Sequence, residues 1–118
     1  IFSRISRHTR FLHRSRGLGD VYKRQRYGLI DMACDQCHDM YPGQMIRGQR
    51  ISQGQGNGFP AYRLGTGEIT TLNLRIQQCL DLMRAEPFDA VSEEISLIGL
   101  YLMSRSNGLG IETPAVRY

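Results

Sequence analysis

The 118-residue chain has room for one small domain, and none of its apolar runs approaches the ~20 residues that a membrane span needs. Its net charge of +4 suggests nucleic acid only until the chain is divided: residues 1–25 hold seven basic residues and one acid, whereas residues 26–118 hold eight arginines, no lysine and ten acids. A break this sharp excludes basic charge as a property of the whole domain, so neither a nucleic-acid partner nor a membrane span is expected.

The first segment reads as something other than protein-coding sequence. SRGLGDVYKRQ, residues 15–25, is what results from translating a transposase-based sequencing adapter, and RHTR, residues 7–10, resembles a translated flow-cell primer. Residues 1–25 are therefore expected to be adapter-derived, disordered or arbitrary in structure, and are set aside from fold reasoning. The alternative is a natural basic arm that binds an anionic partner. These arginines leave no apolar core for a signal peptide, so the native N-terminus and any export signal are expected to lie in lost upstream sequence.

Residues 26–118 are expected to form one all-α domain, with three main helices and a long glycine-rich loop. RYGLIDMACDQCHD, residues 26–39, places Leu29, Ile30, Met32 and Ala33 on one side of a helix. Residues 41–67 hold seven glycines and two prolines, which predicts a loop with turns. Such a length is unusual in a small domain unless it wraps a site or cofactor. Thr70 or Thr71 caps a second helix that runs to about Ala85. Its apolar residues Leu72, Ile76, Cys79, Leu80 and Met83 share one face at the helical period, and Arg75 lies one turn before Cys79. Ser92 caps a third helix, Glu93 and Glu94 complement its first-turn dipole, and Asn107–Gly108 stops it. Apolar residues cover most of this helix's circumference, so burial on more than one side is expected. Gly99 admits a closely packed neighbouring helix, and no strand pattern is evident.

Cys34-Asp35-Gln36-Cys37-His38 is C-x-x-C-H, the attachment pattern for c-type haem. Two thiols three positions apart suit thioether bonds to the vinyl groups along one porphyrin edge. The adjacent imidazole then falls under the iron as proximal ligand. His38 is the only histidine in residues 26–118. One haem c is therefore expected, and it would supply apolar bulk that so short a chain otherwise lacks. A redox C-x-x-C would follow a strand, and a structural zinc site would need Cys79 as its fourth ligand. Three helices around this motif, the last carrying Gly99, Tyr101 and Leu102, resemble the class I cytochrome c fold.

The distal ligand is left open by the residues themselves. Met45 or Met83 would give the His–Met ligation of a simple electron-transfer cytochrome, and Cys79 lies one turn before Met83 on the same face. From pattern alone, a lone cysteine on an apolar face is more often an inert packing residue, and an arginine such as Arg75 beside it more often a solvated or ion-paired side chain.

Three separated stretches decide between these readings: DQCHDM…IRGQRISQGQGNGFPAYRL, RIQQCLDLMRAEPF and LYLMSRSNGLGIETPAVR. Together they resemble the C-terminal haem domain of the SoxA family, cytochromes of bacterial thiosulfate oxidation. The resemblance implies that Cys79 is both distal haem-iron ligand and catalytic sulfur, often found as a persulfide, with Arg75 beside it. It implies a SoxX-like c-type cytochrome as partner and a SoxYZ-like carrier whose cysteine is oxidatively coupled to thiosulfate in the periplasm, the activity of an L-cysteine S-thiosulfotransferase. Arg47 and Arg63 are further candidates for holding the anion. The chain departs from the family pattern before Cys79, where ITTLNLR lacks a histidine and an arginine.

Overall fold

The structure, a computed structural model, describes Tyr22 and residues 28–118. Three helices carry the domain among these residues: α1 (Cys34–His38), α2 (Leu72–Leu82) and α3 (Glu93–Ser104). Between α1 and α2 run four short strands, β1 (Met45–Ile46), β2 (Gln49–Arg50), β3 (Ala61–Arg63) and β4 (Glu68–Thr70), and β5 (Ala115–Arg117) follows α3. β1 and β2 form an antiparallel hairpin, while β3 pairs antiparallel with β4 and parallel with β5 in the order β4-β3-β5.

These two small sheets correct the all-α expectation. Strands of two or three residues are too short to display the alternation that marks a strand in sequence; partners distant in the chain supply their pairing. In β3 the alternation exists but spans one period only, with Ala61 and Arg63 turned inward and Tyr62 outward.

The expected helix over 26–39 is also shortened. Residues 28–31 form a turn, with Gly28 at φ +63° and Asp31 at φ +47°, and Leu29 is 81% exposed. Left-handed backbone at both positions cannot continue a right-handed helix, so helical structure starts only at Cys34. There the Gln36 side chain accepts the Ala33 N–H at 2.7 Å and satisfies one orphan donor of the first turn. Arg26 and Tyr27 lie outside the described residues.

Helices α2 and α3 begin as their capping residues dictate. The Thr71 hydroxyl accepts from Leu74 N–H and the Ser92 hydroxyl from Ile95 N–H, each at 3.3 Å. Helix α2 stops at Leu82 rather than Ala85, because Arg84 adopts φ +54°. Helix α3 gives way at Ser104 to turns that reach Gly108, at φ +81°. The two helices pack on Ile76, Leu80, Ile95 and Ile98, with Cys34, Leu72, Met83, Phe88 and Leu102 closing the cluster. A β-carbon at Gly99 would lie 3.0 Å from the Asn73 side chain, so glycine does set the approach of α2 to α3. Only one side of α3 is covered, however: Leu100 and Met103 are exposed.

Tyr22, the one described residue of the 1–25 segment, is 2% exposed and packs against Tyr101, with ring centroids 5.2 Å apart. It therefore takes part in the domain, whatever the origin of the sequence around it.

Candidate functional site

Helix α1 presents Cys34, Cys37 and His38 within a turn and a half, all three partly buried. All three cysteines of the chain are free thiols. The His38 imidazole is held from behind: its Nδ1 lies 2.8 Å from the Ser52 carbonyl oxygen, which accepts its proton and leaves Nε2 available. A bond of this kind, from one ring nitrogen to a backbone carbonyl, is what fixes the tautomer and orientation of a histidine that ligates metal through the other. Burial pushes the His38 pKa below its usual value, opposed by the Ser52 carbonyl and supported by the Arg75 charge. A neutral ring is the form that binds metal.

Helix α2 brings Cys79 to the same neighbourhood. Burial raises the Cys34 thiol to about 12, and the nearby Cys79 adds to that rise, so the two sulfurs lie within electrostatic reach. The Cys79 pKa is likewise raised, first by burial and then by Cys37, against the opposing pull of Arg75 and Arg63. The two guanidinium charges thus favour the Cys79 thiolate, but burial outweighs them.

Each arginine near Cys79 is fixed by a glutamine that sequence reasoning did not single out. Arg75 Nη2 donates to Gln49 Oε1 at 2.6 Å, tying α2 to the β1–β2 hairpin. Arg63 Nη1 donates to Gln78 Oε1, so the residue before Cys79 holds a guanidinium that enters from β3. Arg63 is 7% exposed, and its Nε is buried without a hydrogen-bond partner among the described residues. An orphaned donor on a buried cation is costly, which makes it a natural contact for an anion. Arg47 stands apart: it is exposed, in the turn joining β1 to β2. Met45 is 61% exposed in the same hairpin, while Met83 caps α2 and packs on the core cluster.

Among the described residues no three Cys, His, Asp or Glu side chains converge as an ion-binding group would require, which leaves the zinc reading without a geometry. The donors fit a flat macrocycle better: two thiols for its edge, an anchored imidazole for one face and a thiol from a second helix nearby. The protein interior is correspondingly thin, with eighteen large apolar side chains exposed among the described residues. A porphyrin would cover part of such a surface. Among these residues, too, no helix is long and apolar enough to cross a membrane.

A C-x-x-C-H helix with a braced imidazole, set against two longer helices, defines a cytochrome c domain. Comparison with known proteins narrows the class. The family described as SoxA/TsdA, cytochrome c domain, matches residues 20–111, and the chain belongs to it. It is 44% identical over 93 residues to the L-cysteine S-thiosulfotransferase subunit SoxA of Paracoccus pantotrophus, and 42% identical over 92 residues to that of Rhodovulum sulfidophilum. These alignments cover 79% and 78% of this chain but 32% of each relative, so the chain spans about a third of their length. The crystal structure of SoxXA from P. pantotrophus superposes with a TM-score of 0.82 at 40% identity, over 90% of this chain and 40% of that one.

Proposed function

We propose that this domain is the haem-bearing catalytic part of a SoxA-type L-cysteine S-thiosulfotransferase, which joins thiosulfate to a cysteine of a SoxYZ-like sulfur carrier. Cys34 and Cys37 would hold one haem c through thioethers, His38 and Cys79 would ligate its iron, and Cys79 is also the reactive sulfur. When bound, the haem would supply a one-electron acceptor near that sulfur, with a SoxX-like cytochrome as the partner for the electrons. The observation that carries this reading is Cys79 flanked by two glutamine-braced arginines, within electrostatic reach of the C-x-x-C-H cysteines.

The reaction sets clear tasks for the chain's residues. Coupling a carrier thiol to thiosulfate forms one sulfur–sulfur bond and releases one proton and two electrons. Thiosulfate enters as a dianion, and Arg75 with Arg63 holds its sulfonate oxygens by charge-assisted hydrogen bonds. Gln49 and Gln78 fix those guanidinia beforehand, which lowers the ordering cost of binding. Cys79 gives up its proton to act as ligand or nucleophile, and the two cations favour that thiolate. Arg47, on the exposed hairpin turn, would contribute to attraction of the anion over longer range. The reaction is assigned to the periplasm, because c-type haem is attached outside the cytoplasmic membrane.

Replacing Cys79 by serine tests this reading against a plain His–Met electron carrier. The variant, with haem attached and assembled with its partner cytochrome, is expected to lose activity on the order of 10²-fold or more, as for removal of a nucleophile. It is also expected to change its low-spin spectrum. If both spectrum and thiosulfate-dependent electron transfer survive, the transferase reading fails.

A further inference from the structure

The bond that orients His38 ends on a backbone carbonyl in a loop, and loops are the least self-sufficient place for such an anchor. Residues 51–60 form no helix or strand, and the loop must be held by something else. The segment just past α3 does this. Arg105 Nη2 donates to the Gln53 carbonyl at 2.8 Å, one residue beyond Ser52, and to Asp39 Oδ1 at 2.7 Å, one residue beyond His38. One nitrogen thus ties together the two chain segments whose separation sets the His38–Ser52 bond. The neighbouring Ser106, itself buried, accepts the Gly56 N–H at 2.7 Å and pins the far end of the same loop. Within the loop, Gly54 N–H donates to Ser52 Oγ at 3.3 Å.

The guanidinium is in turn fixed from its flat face, lying 5.0 Å from the centroid of the Tyr22 ring. Tyr22 O–H donates to the same Asp39 Oδ1 at 3.4 Å. The Arg105–Asp39 pair is only partly shielded, with side-chain exposures of 26% and 34%, so its worth lies in geometry rather than in Coulomb attraction.

We infer that Arg105 is a positioning residue for the proximal histidine: it clamps Asp39 to the Gln53 carbonyl and so holds the Ser52 carbonyl against His38 Nδ1–H. The inference rests on His38 as axial ligand. Its consequence is that the end of the last helix, remote in sequence from C-x-x-C-H, governs how firmly the imidazole is oriented and how much electron density it donates.

The test is proton NMR of the reduced, haem-attached chain, following solvent exchange of the His38 ring N–H. In Arg105→Gln, exchange is expected to accelerate about tenfold, the loss of one ordinary hydrogen bond. Arg105→Lys, which keeps a cationic donor but loses the planar guanidinium stacked on Tyr22, is expected to accelerate exchange less than Arg105→Gln does. Asp39→Asn is expected to fall between them, and with Arg105→Lys it carries the test if Arg105→Gln does not fold. Thermal unfolding of each variant separates positioning from bulk stability. If the melting point falls but exchange in these variants matches the parent, the clamp is merely structural and the proposal is overturned. A His38 ring signal without the ring-current shift of an axial ligand overturns the ligand assignment, and the proposal with it.

Discussion

Burial and charge act on Cys79 in opposite directions, and their order of strength has a chemical consequence. Burial disfavours the thiolate and raises the pKa, while Arg75 and then Arg63 favour the thiolate and lower it. The net shift is upward, so before haem attachment the thiol is protonated at neutral pH. Labelling with iodoacetamide, read by peptide mass mapping from pH 7 to 10, should therefore show Cys79 reacting only above the ordinary thiol range. Removing the larger opposing charge must raise the pKa further: in Arg75→Gln the onset of labelling moves to higher pH. Arg63→Gln moves it the same way but less, because Arg63 makes the smaller contribution. A shift to lower pH in either variant contradicts the placement of these cations beside the sulfur.

At the scale of elements, the helices depend on two caps and one close contact. Thr71→Ala and Ser92→Ala each remove a side-chain acceptor for an orphan N–H and should cost about 1 kcal/mol. In a domain this small each is expected to lower the melting temperature by roughly 4–8 °C. Gly99→Ala places a β-carbon 3.0 Å from Asn73 Oδ1, an overpacking expected to cancel the roughly 1 kcal/mol that alanine would otherwise gain inside a helix. Because that contact involves one side chain, Asn73→Ala should restore most of that gain, a non-additivity that thermal melts of the double mutant measure. These same features were legible in the sequence: Thr71, Ser92 and the glycine at 99 each carry a physical rule local to the residue. The strands were not, since β1 and β2 are two residues long and β5 pairs with β3 from more than fifty residues away. The turn at 28–31 was hidden for a related reason, because a left-handed Asp31 leaves the apolar pattern of RYGLIDMA intact. In the site, C-x-x-C-H is legible from its spacing, whereas the shared helix face alone leaves Cys79 a packing residue and Arg75 a solvated one, and only the resemblance of the flanking stretches singles them out. The Ser52 carbonyl had no signal at all, since a backbone acceptor is the same whatever side chain it carries. Gln49 and Gln78 were equally silent, being ordinary polar residues until a guanidinium meets them.

For the molecule as a whole, the deciding quantity is how little apolar surface the polypeptide buries by itself. Seven hydrophobic residues are buried among the described ones, two of them alanines, against eighteen large apolar side chains left exposed. The central cluster of Ile76, Leu80, Ile95 and Ile98 joins only α2 and α3, and Cys34 at its margin is the main link to α1. A covalently attached macrocycle between α1 and α2 would therefore do for this fold what a larger core does elsewhere, staying attached in both states but buried against the helices only in the native one. Covering roughly 200 Å² of apolar surface contributes about 5 kcal/mol at ~25 cal/mol per Å². The chain with Cys34 and Cys37 both replaced by alanine, and so unable to hold haem covalently, is expected to melt more than ~15 °C below the haem-attached protein or to lose its cooperative transition. Circular dichroism melts of the two forms check this, and the far-ultraviolet signal at low temperature shows whether α2 and α3 persist. A melting point within a few degrees of the haem-attached protein would mean that the α2–α3 cluster suffices, and that the exposed apolar residues answer to something other than the cofactor.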